Sequence, residues 1–140
     1  MGANGPCTLL LVEDESRLRN LVAQVLKCEG YGVVEAADGR EGVDRFHDSG
    51  PFDLLLVDLN LPVFSGVEVC RQVRARDPGQ RIMICSAAIL ADHERDLSLL
   101  GIGHFLTKPY RAEDLLAHIA YELAPEGREL ATSPFKTRSL

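Results

Sequence analysis

Asp58 closes an all-apolar run, Leu54-Leu55-Leu56-Val57, and polar residues close other such runs: Glu13-Asp14 after Leu9–Val12, Ser86 after Ile82–Cys85, and Lys108 after Phe105-Leu106. An acid pair, a single acid, a hydroxyl and an amine together suit phosphoryl-transfer chemistry. Crowded carboxylates are costly, since two unit charges ~4 Å apart repel by roughly 4 kcal/mol at an effective dielectric of about 20. A cation must sit among them. Hard oxygen ligands suit Mg2+, which takes one or two carboxylates together with phosphate oxygens and keeps several waters. Lys108 adds a mobile positive charge, and Ser86 a hydroxyl donor for a phosphoryl oxygen. Asp58, alone at its strand end, is then the candidate nucleophile, and its attack on phosphorus would give an acyl phosphate.

These residues lie far apart in sequence, so the fold must gather them. Thr8–Val12, Tyr31–Glu35, Asp53–Val57, Arg81–Cys85 and His104–Leu106 read as strands, and three of them are too uniformly apolar to have a wet face. Segments of helical period alternate with them. In the first helix Leu18, Leu21, Val22, Val25 and Leu26 follow the spacing of one helix face, with Ser16 as its expected cap and Gly30 after its end. A second helix is expected over Gly39–His47, weakened by Gly42, which costs on the order of 1 kcal/mol relative to alanine. Ser65–Arg76 makes the third, Ala91–Leu100 the fourth with Gly101 as its stop, and Arg111–Leu123 the fifth with Leu115, Leu116 and Ile119 inward. Strand–helix alternation with such short crossovers predicts an α/β fold: a doubly wound five-stranded parallel sheet of order 2-1-3-4-5 with helices on both faces. Strands 1 and 3 are then neighbours. That order sets Glu13-Asp14 beside Asp58 at the carboxyl edge, with Ser86 one strand further and Lys108 beyond.

Composition narrows the function classes. A net charge of −6 argues against a nucleic-acid surface, which needs clustered Lys and Arg. No apolar run approaches the length of a bilayer span, and Met1–Cys7 lacks the layout of a secretory signal, so no membrane partner and a cytoplasmic location are expected. Cys7, Cys28, Cys70 and Cys85 form no CxxC pair and read as reduced structural thiols. His47, His93, His104 and His118 have no ligand spacing and read as surface or partly buried residues. One domain is expected over residues 8–123, after an extension of 1–7 and before a tail of 124–140. Pro125, Gly127 and Pro134 break any period in that tail, which reads as a free terminus or a linker stub carrying no output domain.

Leu9-Leu10-Leu11-Val12-Glu13-Asp14-Glu15, then Asp58-Leu59-Asn60-Leu61-Pro62 with Ser65-Gly66, then Ser86-Ala87, and Gly103-His104-Phe105-Leu106-Thr107-Lys108-Pro109-Tyr110 closely resemble a response-regulator receiver domain. Each piece is weak alone; their order and spacing are specific. The resemblance implies a flavodoxin-like fold and a phosphorylation switch of two-component signalling. It implies that Asp58 is the phosphoacceptor and that Asp14 is a direct Mg2+ ligand, with Glu13 acting through water. Asn60 would contribute its backbone carbonyl to the metal, Ser86 would be the switch hydroxyl, and Lys108 would pair with the phosphate before a cis bond to Pro109. Phe105 takes the position of the switch aromatic. The implied donor is a histidine kinase or histidine phosphotransfer protein. The implied docking face, for an output partner or a second copy, is the fourth helix, fifth strand and fifth helix. Such a domain is no enzyme beyond its own phosphorylation and slow dephosphorylation.

Blander readings stand beside these. An aspartate at a strand end is often a loop or cap residue, and Phe105 alone reads as a core aromatic. Glu13 and Asp14 also favour the start of the first helix through its dipole. A small aspartate-nucleophile phosphohydrolase would use Asp58, Mg2+ and Lys108 too, but it wants a second acid where Asn60 stands, and a cap domain. A phosphorylation-independent interaction module would not need the full acid, hydroxyl and lysine set. A flavin-binding domain would want a phosphate-cradling loop where Glu13-Asp14 stands.

Overall fold

The computed structural model of the chain describes residues 7–124; the N-terminal extension before Cys7 and the tail after Ala124 lie outside the described residues. Five strands, β1 (Thr8–Val12), β2 (Gly32–Ala36), β3 (Leu54–Val57), β4 (Ile82–Ser86) and β5 (Phe105–Thr107), alternate with five helices: α1 (Ser16–Cys28), α2 (Gly39–Ser49), α3 (Gly66–Arg76), α4 (Ala91–Leu99) and α5 (Ala112–Leu123). All pairings are parallel, in the order β2-β1-β3-β4-β5, as the alternation predicts.

Period-two side-chain alternation splits each central strand between two cores. Leu10 and Val12 of β1 join Leu55 and Val57 of β3 under α2, α3 and α4, where Val43, Val69, Val73 and Leu97 meet them. Leu9 and Leu11 face the other way with Leu54, Leu56 and Met83, toward Val22, Ala23 and Leu26 of α1 and Leu115 and Ile119 of α5. A sheet buried on both faces explains why Leu9–Val12 and Leu54–Val57 are apolar throughout.

Several local expectations change. Glu15, not Ser16, caps α1: its carboxylate accepts the Leu18 N–H at 3.1 Å. Leu21, expected inward, is 58% exposed, because the buried stripe runs through Val22, Ala23 and Leu26 instead. Leu90, the N-cap residue of α4, is 60% exposed, while Leu97 is fully buried. Gly42 is no simple weakness in α2. A Cβ there would lie 3.0 and 3.1 Å from the Val12 methyls, so the glycine allows close contact of helix and strand. The cap of α2 is strong, with Asp38 accepting the Glu41 N–H and Glu41 accepting the Ala37 N–H, both at 2.7 Å.

One histidine of the four, His118, differs from expectation too. His118 is only 4% exposed, and its Nδ1 lies 2.7 Å from His104 Nε2, whose ring also bonds Glu122 at 2.8 Å. That cluster arises where β5 and α5 meet, which no sequence spacing reveals.

The four cysteines are free, with Cys70 and Cys85 buried and Cys28 exposed. Burial pushes both inner thiols up to about 12, outweighing the opposing charge of Arg74 at Cys70 and of Lys108 at Cys85. Iodoacetamide at pH 8.5 should therefore alkylate Cys28 in the folded chain and spare Cys70 and Cys85 until urea is added, as read by peptide mass. Equal labelling of Cys85 and Cys28 without denaturant would contradict this packing.

Candidate functional site

The register Val12↔Val57 aligns the carboxyl ends of β1 and β3, so the residues that follow, Glu13 and Asp58, emerge side by side. Glu13 continues the β1–β2 ladder, donating its N–H to the Ala36 carbonyl at 3.0 Å, and the Asp58 N–H reaches Val12 O at 3.1 Å. Ser86 ends β4, and Lys108 follows β5, its backbone N–H donating to Ser86 O at 2.9 Å. Adjacent strand ends thus deliver every charged member of the set, as the strand order requires.

The side chains converge. Lys108 Nζ lies 2.7 Å from Glu13 Oε1 and 2.8 Å from Asp58 Oδ2, bridging the two acids. Ser86 Oγ donates to Asp58 Oδ1 at 2.9 Å, and the Asn60 backbone N–H donates to the same oxygen at 3.2 Å. Glu13 Oε2 accepts the Glu15 N–H at 3.1 Å. Glu13, Asp58 and Ser86 are buried, whereas Asp14 and Asn60 are exposed at the mouth. Burial alone would lower the lysine's pKa; hydrogen bonds to Asp58 and Glu13, backed by their charges, outweigh it and hold the group above the usual lysine value. Lys108 is therefore a permanent cation here, and it answers the demand for positive charge among the acids. Phe105 is half-buried, paired in register with Ile84 and packed on the core beneath α4.

Carboxylate oxygens of Glu13, Asp14 and Asp58 all lie within 4.8 Å of one another. An all-oxygen set of this size, open on the Asp14 side, fits a hard divalent cation such as Mg2+. His47 and His93 stand apart from the site, and the His104–His118 pair belongs to the β5–α5 junction. The Lys108–Pro109 bond is cis, as is Gly50–Pro51, which no feature of the sequence signals.

Two contributors escape a reading of the sequence. Gly66 opens α3 so close to the phosphoacceptor candidate that a Cβ would sit 2.2 Å from the Asp58 carbonyl oxygen and 2.6 Å from Leu59 Cα. Its place after Ser65, at a helix start, is legible; the contact is not. Arg19, by its spacing only part of a polar helix face, reaches back to the Glu13 carbonyl.

Comparison with known proteins agrees with the fold. A family model described as the response regulator receiver domain matches residues 9–120. The sensory transduction protein RegX3 of Mycolicibacterium smegmatis is 38% identical over 112 residues, covering 80% of this chain and 48% of that protein. The cell cycle transcriptional regulator CtrA of Caulobacter vibrioides is 35% identical over 113 residues, covering 79% of this chain and 48% of its own. This chain thus spans about half the length of these relatives. Among solved structures, a CheY-like receiver domain protein from Methanospirillum hungatei superposes with a TM-score of 0.83 at 25% identity, covering 91% of this chain and 100% of that one. The response regulator TrrA from Thermotoga maritima, in complex with Mg(2+)-BeF, superposes at 0.73 with 28% identity, covering 84% and 99%.

Gly66→Ala should destabilise the chain by about 3 kcal/mol or more, because backbone rather than a flexible side chain opposes the new methyl. Gly103, where an added Cβ would meet no atom within 4 Å and φ is not positive, should accept alanine within about 0.5 kcal/mol. Urea melts of the two variants give the comparison.

Proposed function

The chain belongs to the response-regulator receiver-domain family, and on that basis we propose that it is a phosphorylation-dependent switch of a two-component system. It takes a phosphoryl group from the phosphohistidine of a histidine kinase or phosphotransfer protein onto Asp58, and its partner-binding face changes in response. The observation that carries this reading is the buried Asp58 carboxylate bonded at once to Ser86 and Lys108, on separate strand ends.

An Asp58 oxygen attacks phosphorus, the phosphorus–nitrogen bond of the donor breaks, and the electron pair leaves on the donor imidazole. The product is an aspartyl phosphate. Asp14, Glu13, Asp58 and the Asn60 backbone carbonyl would hold Mg2+, with Glu13 acting through water; bound there, the ion neutralises phosphoryl oxygens. Lys108 pairs with the arriving negative charge once its bond to Asp58 is exchanged for one to the phosphoryl group. Ser86 follows the same charge with its hydroxyl, and Phe105, in register on the next strand, adjusts its packing in turn. Turnover is confined to this group's arrival and slow hydrolysis, so the output is a change of population and not a released product.

The domain spans residues 8–123 in this reading and works in the cytoplasm. Among the described residues no helix is long and apolar enough to cross a membrane. The face of α4, β5 and α5 is the proposed docking surface for a second copy or an output partner, and the exposure of Leu99 on α4, 82%, supports this.

Incubation with acetyl phosphate and Mg2+ should add one phosphoryl group by intact mass, lost with Asp58→Asn or with chelator; no gain in the native chain would instead favour a phosphorylation-independent module. Leu99→Ser should weaken association of the phosphorylated chain with itself or its partner by about tenfold, as sedimentation would read. Unchanged association would move the docking face elsewhere.

A further inference from the structure

We propose that Arg19 is a positioning residue for the metal site: it orients the Glu13–Asp14 peptide, and through it the Asp14 carboxylate, without itself touching a metal-binding oxygen. The inference rests on the receiver reading and adds a residue to it.

Asp14 is the exposed member of the acid cluster, and among the described residues its side chain accepts no hydrogen bond. Its direction must come from its backbone. That backbone is held on the β1 side by the Glu13 N–H, bonded to Ala36 O at 3.0 Å. On the other side, Arg19 Nη1 donates to the Glu13 carbonyl at 2.8 Å. Because the peptide unit is planar, fixing that carbonyl fixes the plane that leads into Asp14. The same residue closes the first turn of α1, its N–H donating to Glu15 O at 2.9 Å, so the helix and the acid loop are braced by one residue.

The guanidinium's other partner is informative. Arg19 Nε lies 3.5 Å from Glu35 Oε1 on β2, and Lys27 Nζ lies 3.9 Å from Glu35 Oε2. The charge of Arg19 is thus answered by an acid outside the cluster, while a neutral carbonyl takes its bond at the loop. A planar fork of several donors permits this division of labour, and a single ammonium does not. With the Arg19 side chain only 17% exposed, the arrangement is enclosed and little screened.

Positioning and electrostatics make opposite statements about the same substitution. Removing a cation near three carboxylates should tighten binding of a divalent ion, whereas removing an orienting bond should loosen it. Calorimetric titration of the full chain with MgCl2, without phosphodonor, therefore decides. Arg19→Gln should raise the Mg2+ dissociation constant about tenfold, the range seen when groups that orient a metal ligand are removed. Its phosphorylation by acetyl phosphate should recover at saturating Mg2+. Glu35→Gln, which keeps the bond to the Glu13 carbonyl, should bind Mg2+ like the native chain.

Equal or tighter binding by a folded Arg19→Gln overturns the proposal, as does an equal loss in Glu35→Gln, which would assign the effect to the ion pair. Should Arg19→Gln fail to fold, Arg19→Lys, which keeps the charge but loses the fork, must show weakened binding by the same titration. A native chain that binds no Mg2+ defeats the receiver reading itself, and with it this proposal; native binding with no change in the variants defeats the positioning role alone.

Discussion

The Lys108 ammonium, 2.7 Å from Glu13 and 2.8 Å from Asp58, is the contact on which the carboxyl edge of the sheet depends. Adjacent parallel strands deliver two buried acids side by side, and without a cation their repulsion would amount to several kcal/mol, roughly 4 at a separation of ~4 Å and an effective dielectric near 20. The lysine comes from the far edge strand. Its reach is set by β5 pairing with β4, because the Lys108 N–H is anchored on the Ser86 carbonyl. Strand order, register and charge balance are therefore one constraint: with β1 beside β3, an order that moved β5 away from β4 would leave Glu13 and Asp58 facing each other unpaired.

Close approach of the helices serves that edge. Gly66 lets α3 begin against the Asp58 carbonyl, and Gly42 lets α2 lie on the Val12 methyls directly below Glu13. Gly42, inside α2, forgoes helix propensity of about 1 kcal/mol for contact that a side chain would prevent. The gain is a strand end whose acids are held by packed backbone on one side and open to solvent at Asp14 on the other.

The strands were legible because a sheet covered on both faces must be apolar throughout, as Leu54-Leu55-Leu56-Val57 is between the polar Asp53 and Asp58. Polar residues at strand ends then stood out, and the doubly wound order brought Glu13, Asp58, Ser86 and Lys108 together as expected. What stayed hidden depends on contacts between elements. Leu21 matched the helical spacing of its neighbours, yet the sheet takes Val22 and Ala23 instead and leaves Leu21 outside. His118 gave no sign of burial, since its partner His104 lies on another element. Glu15 displaced Ser16 as the cap because its longer side chain can fold back onto Leu18 N–H from one residue earlier. Arg19 carried no signal beyond its charge; only the fold shows that its reach ends at a carbonyl of the acid loop.

Occupancy of the Asp58 carboxylate explains how chemistry at one residue could move others. Oδ1 accepts from Ser86 Oγ and from the Asn60 N–H, and Oδ2 accepts from Lys108 Nζ, so neither oxygen is idle. Whichever oxygen is esterified in the proposed reaction, a partner mounted on β4 or on the residue after β5 must find a new acceptor. The phosphoryl oxygens would be the nearest candidates, since they are bonded beyond the carboxylate they replace. Ser86 pairs in register with Thr107, and Ile84 with Phe105, so in the proposed switch a displacement at the end of β4 would reach β5 through the ladder. Phe105 is half-buried against the core cluster that includes Leu97 of α4, where such a shift would meet a surface element. In that proposal two paired strands would span the distance from the site to the α4–β5–α5 face, and the lysine that balances the resting charge would be the group most directly drawn to the new one.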